Sequence, residues 1–151
     1  MDRRDFIKHS CVVCLGGTAV STLLGSCGSV KYTSGRIGKD GVAVDVADFF
    51  QKEKGKYRSY VVVRNESLLF PICIYRFNET EYSAIWMECA HQGAELNVVG
   101  DYLQCPAHGS EYNNHGEVTN GPAEVNLRTF PVIVNKDELF IDLRKQQQAI
   151  E

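Results

Sequence analysis

Cys89-Ala90-His91 and Cys105-Pro106-Ala107-His108-Gly109-Ser110 decide how this 151-residue chain is read. Each cluster offers one thiolate and one imidazole, with 13 residues between His91 and Cys105. A Cys₂His₂ donor set suits a tetrahedral zinc, or an iron–sulfur centre in which two His replace two Cys on one iron. The order of the donors separates the two. Zinc fingers group Cys with Cys and His with His, on a hairpin and a helix. Here each loop pairs one Cys with one His, so two similar loops can face each other across two metal atoms.

With Ser110, Tyr112 and Gly121-Pro122-Ala123 added, the pattern resembles the Rieske [2Fe–2S] family, whose C-P-x-H-G-S-x-Y stretch and later G-P-A segment it matches. The likeness runs from Gly41 to Leu143. It implies an all-β fold, a small antiparallel sandwich or barrel with two cluster-binding loops at one end. It also implies one [2Fe–2S] cluster, with Cys89 and Cys105 on the inner iron and His91 and His108 on the outer one. Neutral imidazoles leave such a centre less negative than four thiolates do, which places its potential at about −150 to +300 mV. Electron uptake is then expected to couple to proton uptake at the imidazoles.

In the high-potential branch of that family, the residues matching Ser110 and Tyr112 donate to a bridging sulfide and to the first Cys sulfur, here Cys89. Two departures cut the other way. Ala94 and Ala107 stand where quinol-oxidising members carry a disulfide clamp, which leaves packing alone to hold the loops. Gln92 stands where those members place an apolar residue. The expectation is an intermediate to high potential. Gly121-Pro122-Ala123 resembles the loop that covers the centre from a third side.

Residues 1–26 resemble a twin-arginine export signal: Asp2-Arg3-Arg4-Asp5-Phe6-Ile7-Lys8 precedes a mild apolar stretch from Cys11 to Leu24. Leu24-Gly25-Ser26-Cys27 resembles a bacterial lipobox, which implies a lipid on Cys27. The rival reading is an uncut helix. Ser10 to Ser26 supplies 17 residues for it, at the lower limit of a membrane span and rich in Gly, Ser and Thr. Residues 27–40 read as a lipid-anchored tether, 41–143 as the Rieske domain and 144–151 as a polar tail. Of the six Cys, only Cys73 is then left without a role, as a buried inert thiol.

The chain carries a formal charge of −3, and residues 1–27 hold Arg3, Arg4 and Lys8 against Asp2 and Asp5. The rest of the chain is therefore one unit more acidic, which argues against nucleic acid as a partner and is compatible with a basic face on a redox partner. Val42–Val46, Ser59–Arg64, Leu68–Phe77, Tyr82–Glu88 and Leu139–Leu143 read as strands, with a helical turn over Ala47–Lys52. Reversals fall at Lys54-Gly55-Lys56, Arg64-Asn65-Glu66-Ser67 and Asn135-Lys136-Asp137. Pro71 predicts an edge or bulged position for its strand. His115 reads as a turn residue, Trp86 as core, and the Asn65 and Asn78 glycosylation patterns as coincidental.

These readings imply an exported, membrane-anchored one-electron carrier on the periplasmic side of a bacterial membrane. Its redox partner would be the large subunit of a periplasmic oxidoreductase, a cytochrome c or a cytochrome b. The alternative is the Rieske subunit of a quinol-oxidising cytochrome bc-type complex. A non-redox zinc-stabilised binding module is the remote third reading. No catalytic residue is assigned. A Rieske oxygenase would add a large catalytic domain with a two-His, one-carboxylate iron site, and only His9 and His115 lie outside the two clusters.

Overall fold

Tyr60–Val63, Ile72–Arg76 and Tyr82–Trp86 carry little polar–apolar alternation, the pattern of strands covered on both faces. In the computed structural model, which describes residues 30–144, they are the antiparallel heart of a five-stranded sheet. Tyr32–Thr33 edges this sheet on one side and Thr129–Phe130 on the other. Val61, Val63, Ile72, Ile74 and Ala84 face one core, shared with Val42, Val44, Phe49, Leu139 and Ile141. Val62, Cys73, Tyr75, Ile85 and Met87 face a second core, shared with Cys89, Leu96, Leu103, Cys105 and Tyr112. Burial of each large apolar side chain contributes about 1.5–3 kcal/mol, so the middle sheet fixes both outer layers to itself.

The first outer layer is a sheet in the order Val132–Asn135, Glu138–Asp142, Gly41–Asp45, Arg36–Ile37. The second is Val118–Asn120, Glu111–Asn113, Tyr102–Gln104, Asn97–Val99. This smaller sheet is an excursion out of the middle one. Thr129 and Phe130 pair with Ile85 and Ala84, and the Trp86 N–H donates to the Arg128 carbonyl at 2.9 Å. The chain thus leaves the frame after Trp86 and returns beside it.

Chain direction sorts the turns of the small sheet to two poles. The segments 88–95, 105–110 and 121–126 gather at one. The turns at Gly100-Asp101 and at 113–117 lie at the other, where the His115 ring stacks on Phe77 (centroids 4.6 Å apart, 9° between planes). The chain enters the fold at this second pole. The Val62 N–H donates to the Lys31 carbonyl, and the parallel register of Tyr32 with Val62 places Val30 level with Tyr60.

Several expectations are corrected here. The tether expected over residues 27–40 forms strands from Tyr32, because Tyr32–Thr33 completes the open edge beside Tyr60–Val63 and Arg36–Ile37 the edge beside Gly41–Asp45. The helical turn expected over Ala47–Lys52 is a 3₁₀ turn at Val46–Phe49, followed by a hairpin that pairs Phe50–Gln51 with Lys56–Tyr57. Pro71 marks no edge. It sits just outside the Ile72–Arg76 strand, at the heart of the middle sheet, and its carbonyl accepts from the Met87 N–H. The signal, Cys27 and the tail beyond Arg144 lie outside the described residues.

Cys73 is fully buried, and burial pushes its thiol well above the usual range. Since the thiolate is the reactive form, Cys73 is expected to alkylate at least roughly a hundredfold more slowly than a free thiol. Mass spectrometry after iodoacetamide treatment, before and after unfolding, checks this. Modification of Cys73 in the folded protein would contradict it.

Candidate metal centre

The two ligand loops share one backbone frame. In the first, the Cys89 N–H donates to the Ala94 carbonyl and the Gly93 N–H to the Cys89 carbonyl, both at 2.8 Å. In the second, the Cys105 N–H donates to the Ser110 carbonyl at 2.8 Å and the Gly109 N–H to the Cys105 carbonyl at 3.0 Å. Gly93 and Gly109 close these turns at φ of 70° and 79°, values at which a β-carbon is strained. The loops are therefore not held by packing alone, as the missing disulfide suggested. Backbone bonds tie each loop internally, and the Arg64–Glu95 ion pair braces the first loop from outside.

Within this frame the donors sort by chemistry. Cys89 and Cys105 are 3% and 2% exposed and belong to the second core. His91 and His108 are exposed, with ring centroids 5.1 Å apart and planes at 89°. Thiols lie inside and imidazoles outside. Among the described residues, no three His, Cys, Asp or Glu side chains gather tightly enough to hold one metal ion. A two-iron centre asks for only two protein donors per iron, whereas one tetrahedral zinc draws four to a point.

The polar groups around Cys89 favour its thiolate. Burial pushes the Cys89 thiol up, but the Tyr112 hydroxyl, the backbone N–H of His91, the Cys105 thiol and the backbone N–H of Gln92 outweigh it, and the net direction is down. The Tyr112 hydroxyl lies 3.4 Å from Cys89 Sγ and accepts from the Ala90 N–H at 3.2 Å, which leaves its own proton for the sulfur. Burial, then the bond to Cys89, pushes Tyr112 up to about 12, so it remains a donor at neutral pH. Ser110 is fully buried, and its Oγ accepts from the Ala123 N–H at 3.0 Å. That bond fastens the Gly121-Pro122-Ala123 segment over the second loop.

Trp86 is half-buried between the Phe70 and Phe130 rings, and its Nε1–H donates to Glu88 at 2.8 Å. It belongs to the packing, in keeping with the core role expected of it. Beside His91 lies a groove of about 590 Å³ lined by Trp86, Glu88, His91, Gln92, Asn126 and Arg128. This groove has no sequence signature, because its walls come from segments far apart in the chain.

Paired loops, buried thiols and exposed imidazoles define an iron–sulfur protein with mixed Cys/His ligation. The family model for the Rieske [2Fe-2S] domain matches residues 43–131, and the chain belongs to that family. The family's cofactor is one [2Fe–2S] cluster, which the donor set fits. The plasma membrane Rieske protein PetC3 from Synechocystis PCC 6803 is 26% identical with a TM-score of 0.54, over 67% of this chain and 98% of that one. The Sphingomonas yanoikuyae B1 ferredoxin is 24% identical with a TM-score of 0.45, over 58% of this chain and 87% of that one. One chain of the complex of reduced oxygenase and oxidized ferredoxin in carbazole 1,9a-dioxygenase is 22% identical with a TM-score of 0.49, over 71% of this chain and 97% of that one. Among curated proteins none matches the chain.

Proposed function

We propose that this chain is an exported, membrane-anchored one-electron carrier, serving as a small subunit or partner of a periplasmic oxidoreductase. The observation that carries the reading is the split donor set: Cys89 and Cys105 buried, His91 and His108 at the surface. The cluster would supply a reversible one-electron couple. Cys89 and Cys105 would hold its inner iron, and His91 and His108 its outer one. The exposed imidazole edges would then form the short way in and out for the electron, and the Ser110 and Tyr112 hydroxyls would donate toward the cluster's sulfurs. Gln92, exposed beside His91, places an amide where an apolar pocket would demand a hydrocarbon side chain.

Export and a lipid on Cys27 are part of this proposal. They rest on Arg3-Arg4 and Leu24-Gly25-Ser26-Cys27, and the similar Synechocystis protein is a plasma membrane one. Among the described residues no helix is long and apolar enough to cross a membrane. The second reading, a subunit of a quinol-oxidising cytochrome bc-type complex, draws on Ser110 and Tyr112 standing where that branch uses them.

The holoprotein is expected to be red-brown, to hold iron and acid-labile sulfide in equal amounts, and to become paramagnetic on reduction. Its midpoint potential is expected within about −150 to +300 mV. A colourless protein with stoichiometric zinc would overturn the reading. Recovery of intact residues 1–26 in membrane-purified protein would overturn the lipid anchor.

A further inference from the structure

Charge is segregated in this molecule. Between Met87 and Leu127 the chain carries Glu88, Glu95, Asp101, Glu111, Glu117 and Glu124, with no Lys or Arg. Every Lys and Arg of the described residues therefore lies on the middle sheet, the opposite sheet or their connections. The excursion that holds the donor set is purely acidic, whereas the rest of the described fold is nearly balanced, with 12 Lys and Arg against 10 Asp and Glu.

Three of these carboxylates border the donor pole. Glu88 lines the groove beside His91. Glu111 follows the second loop directly, its Oε1 accepting from Gln104 Nε2 at 3.0 Å. Glu124 is exposed in the third segment, next to Val125, which is 61% exposed. Two cations approach the same pole from the frame, and both are engaged. Arg64 pairs with Glu95. Arg128 lines the groove, but its guanidinium lies over the Phe130 ring at 4.7 Å and donates to the Leu143 carbonyl. Between them lies an uncharged tip of Ala90, Pro106, Ala107, Pro122 and Val125 around two exposed imidazoles, with acid at its margin.

We infer that this pole is the docking surface for a redox protein that rings its own exposed redox group with Lys or Arg. The inference rests on the electron-carrier reading. An uncharged centre permits close approach, while a rim of one sign steers an oppositely charged partner and raises the association rate tenfold to a thousandfold. The field acts within about 10 Å at 0.1 M salt, so carboxylates at the donor pole dominate those at the far turns.

Two measurements test this on the holoprotein. In the first, reduced protein is oxidised by tris(phenanthroline)cobalt(III), a cation, or by ferricyanide, an anion, over a range of ionic strength. The cation's rate is expected to fall with salt and the anion's to rise. Glu111→Gln with Glu124→Gln is expected to shrink the cation-to-anion rate ratio at least threefold. Asp101→Asn with Glu117→Gln, an equal charge change at the far pole, is expected to leave it within a factor of about 1.5. Equal effects of the two pairs, or rates insensitive to salt, would overturn the inference.

In the second, a lysine-rich soluble c-type cytochrome is titrated into isotope-labelled protein. Salt-sensitive chemical-shift changes are expected in residues 88–93, 105–111 and 121–126. Changes centred elsewhere, or binding that strengthens with salt, would sink it. Failure to transfer electrons to either small ion would count against the carrier reading alone, because the titration still decides the docking surface.

Discussion

Cys105→Ser is expected to give a colourless protein with less than a tenth of the wild-type iron and acid-labile sulfide. Cys105 is 2% exposed, at the start of the second loop and in one core with Cys89, Leu103 and Tyr112. Serine keeps the shape but not the donor, since a hydroxyl at neutral pH is a poor substitute for a thiolate toward iron. It also leaves a hydroxyl among apolar side chains, at a cost of about 1–3 kcal/mol where it finds no partner. The apoprotein should therefore melt several degrees lower as well. Cys73→Ser supplies the contrast. Its thiol is equally buried and faces the same core, so the colour should survive although stability falls. Iron and sulfide analysis with thermal unfolding reads both variants. Full iron in the Cys105→Ser protein would remove Cys105 from the site.

Tyr112→Phe and Ser110→Ala are each expected to lower the midpoint potential by tens of millivolts. A hydrogen bond to a charged acceptor contributes roughly 1.5–3 kcal/mol, and about 60–130 mV is the ceiling if that whole contribution differs between redox states. The sign comes from charge: a donor aimed at sulfur stabilises the reduced, more negative centre, so its loss disfavours reduction. The structure distinguishes the two variants. Tyr112→Phe removes the hydroxyl 3.4 Å from Cys89 Sγ and the acceptor of the Ala90 N–H. Ser110→Ala also unfastens the 121–126 segment, because Oγ is the acceptor of the Ala123 N–H. The Ser110 variant should therefore lose its cluster faster on dilution or mild heating than the Tyr112 variant does. Square-wave voltammetry reads the shifts, and unchanged potentials in both would leave these residues with a structural role only.

The donor set is legible in the sequence because ligand chemistry is strict about residue type and local spacing. Cys89, His91, Cys105 and His108 stand two or three residues apart within each loop, so a one-dimensional pattern captures them. The sheet that carries them is not legible. Its strands are three residues long, and the two central ones each bury one side chain fully, Leu103 in Tyr102–Gln104 and Tyr112 in Glu111–Asn113. One buried residue sets no period. The middle sheet has the opposite character: runs such as Tyr60-Val61-Val62-Val63 announce a strand covered on both faces, and their expected limits lie within two residues of the observed ones except at Leu68, four residues before the observed start at Ile72. Tyr32–Thr33 escapes because two residues carry no pattern, and their partner Val62–Val63 lies about 30 residues away.

That small edge strand governs how an anchored molecule could stand. With pairing from Tyr32 and packing from Val30, only Gly28 and Ser29 separate Cys27 from the described fold, a leash of roughly 10 Å at full extension. A lipid on Cys27 would seat the domain almost against the headgroups, at the pole remote from His91 and His108. Middle strands of five residues at about 3.3 Å each, plus the loops beyond them, would then raise the imidazoles some ~25 Å above the bilayer. A molecule anchored in that way would rock in place without a wide swing, and any electron acceptor would have to reach it from the aqueous side.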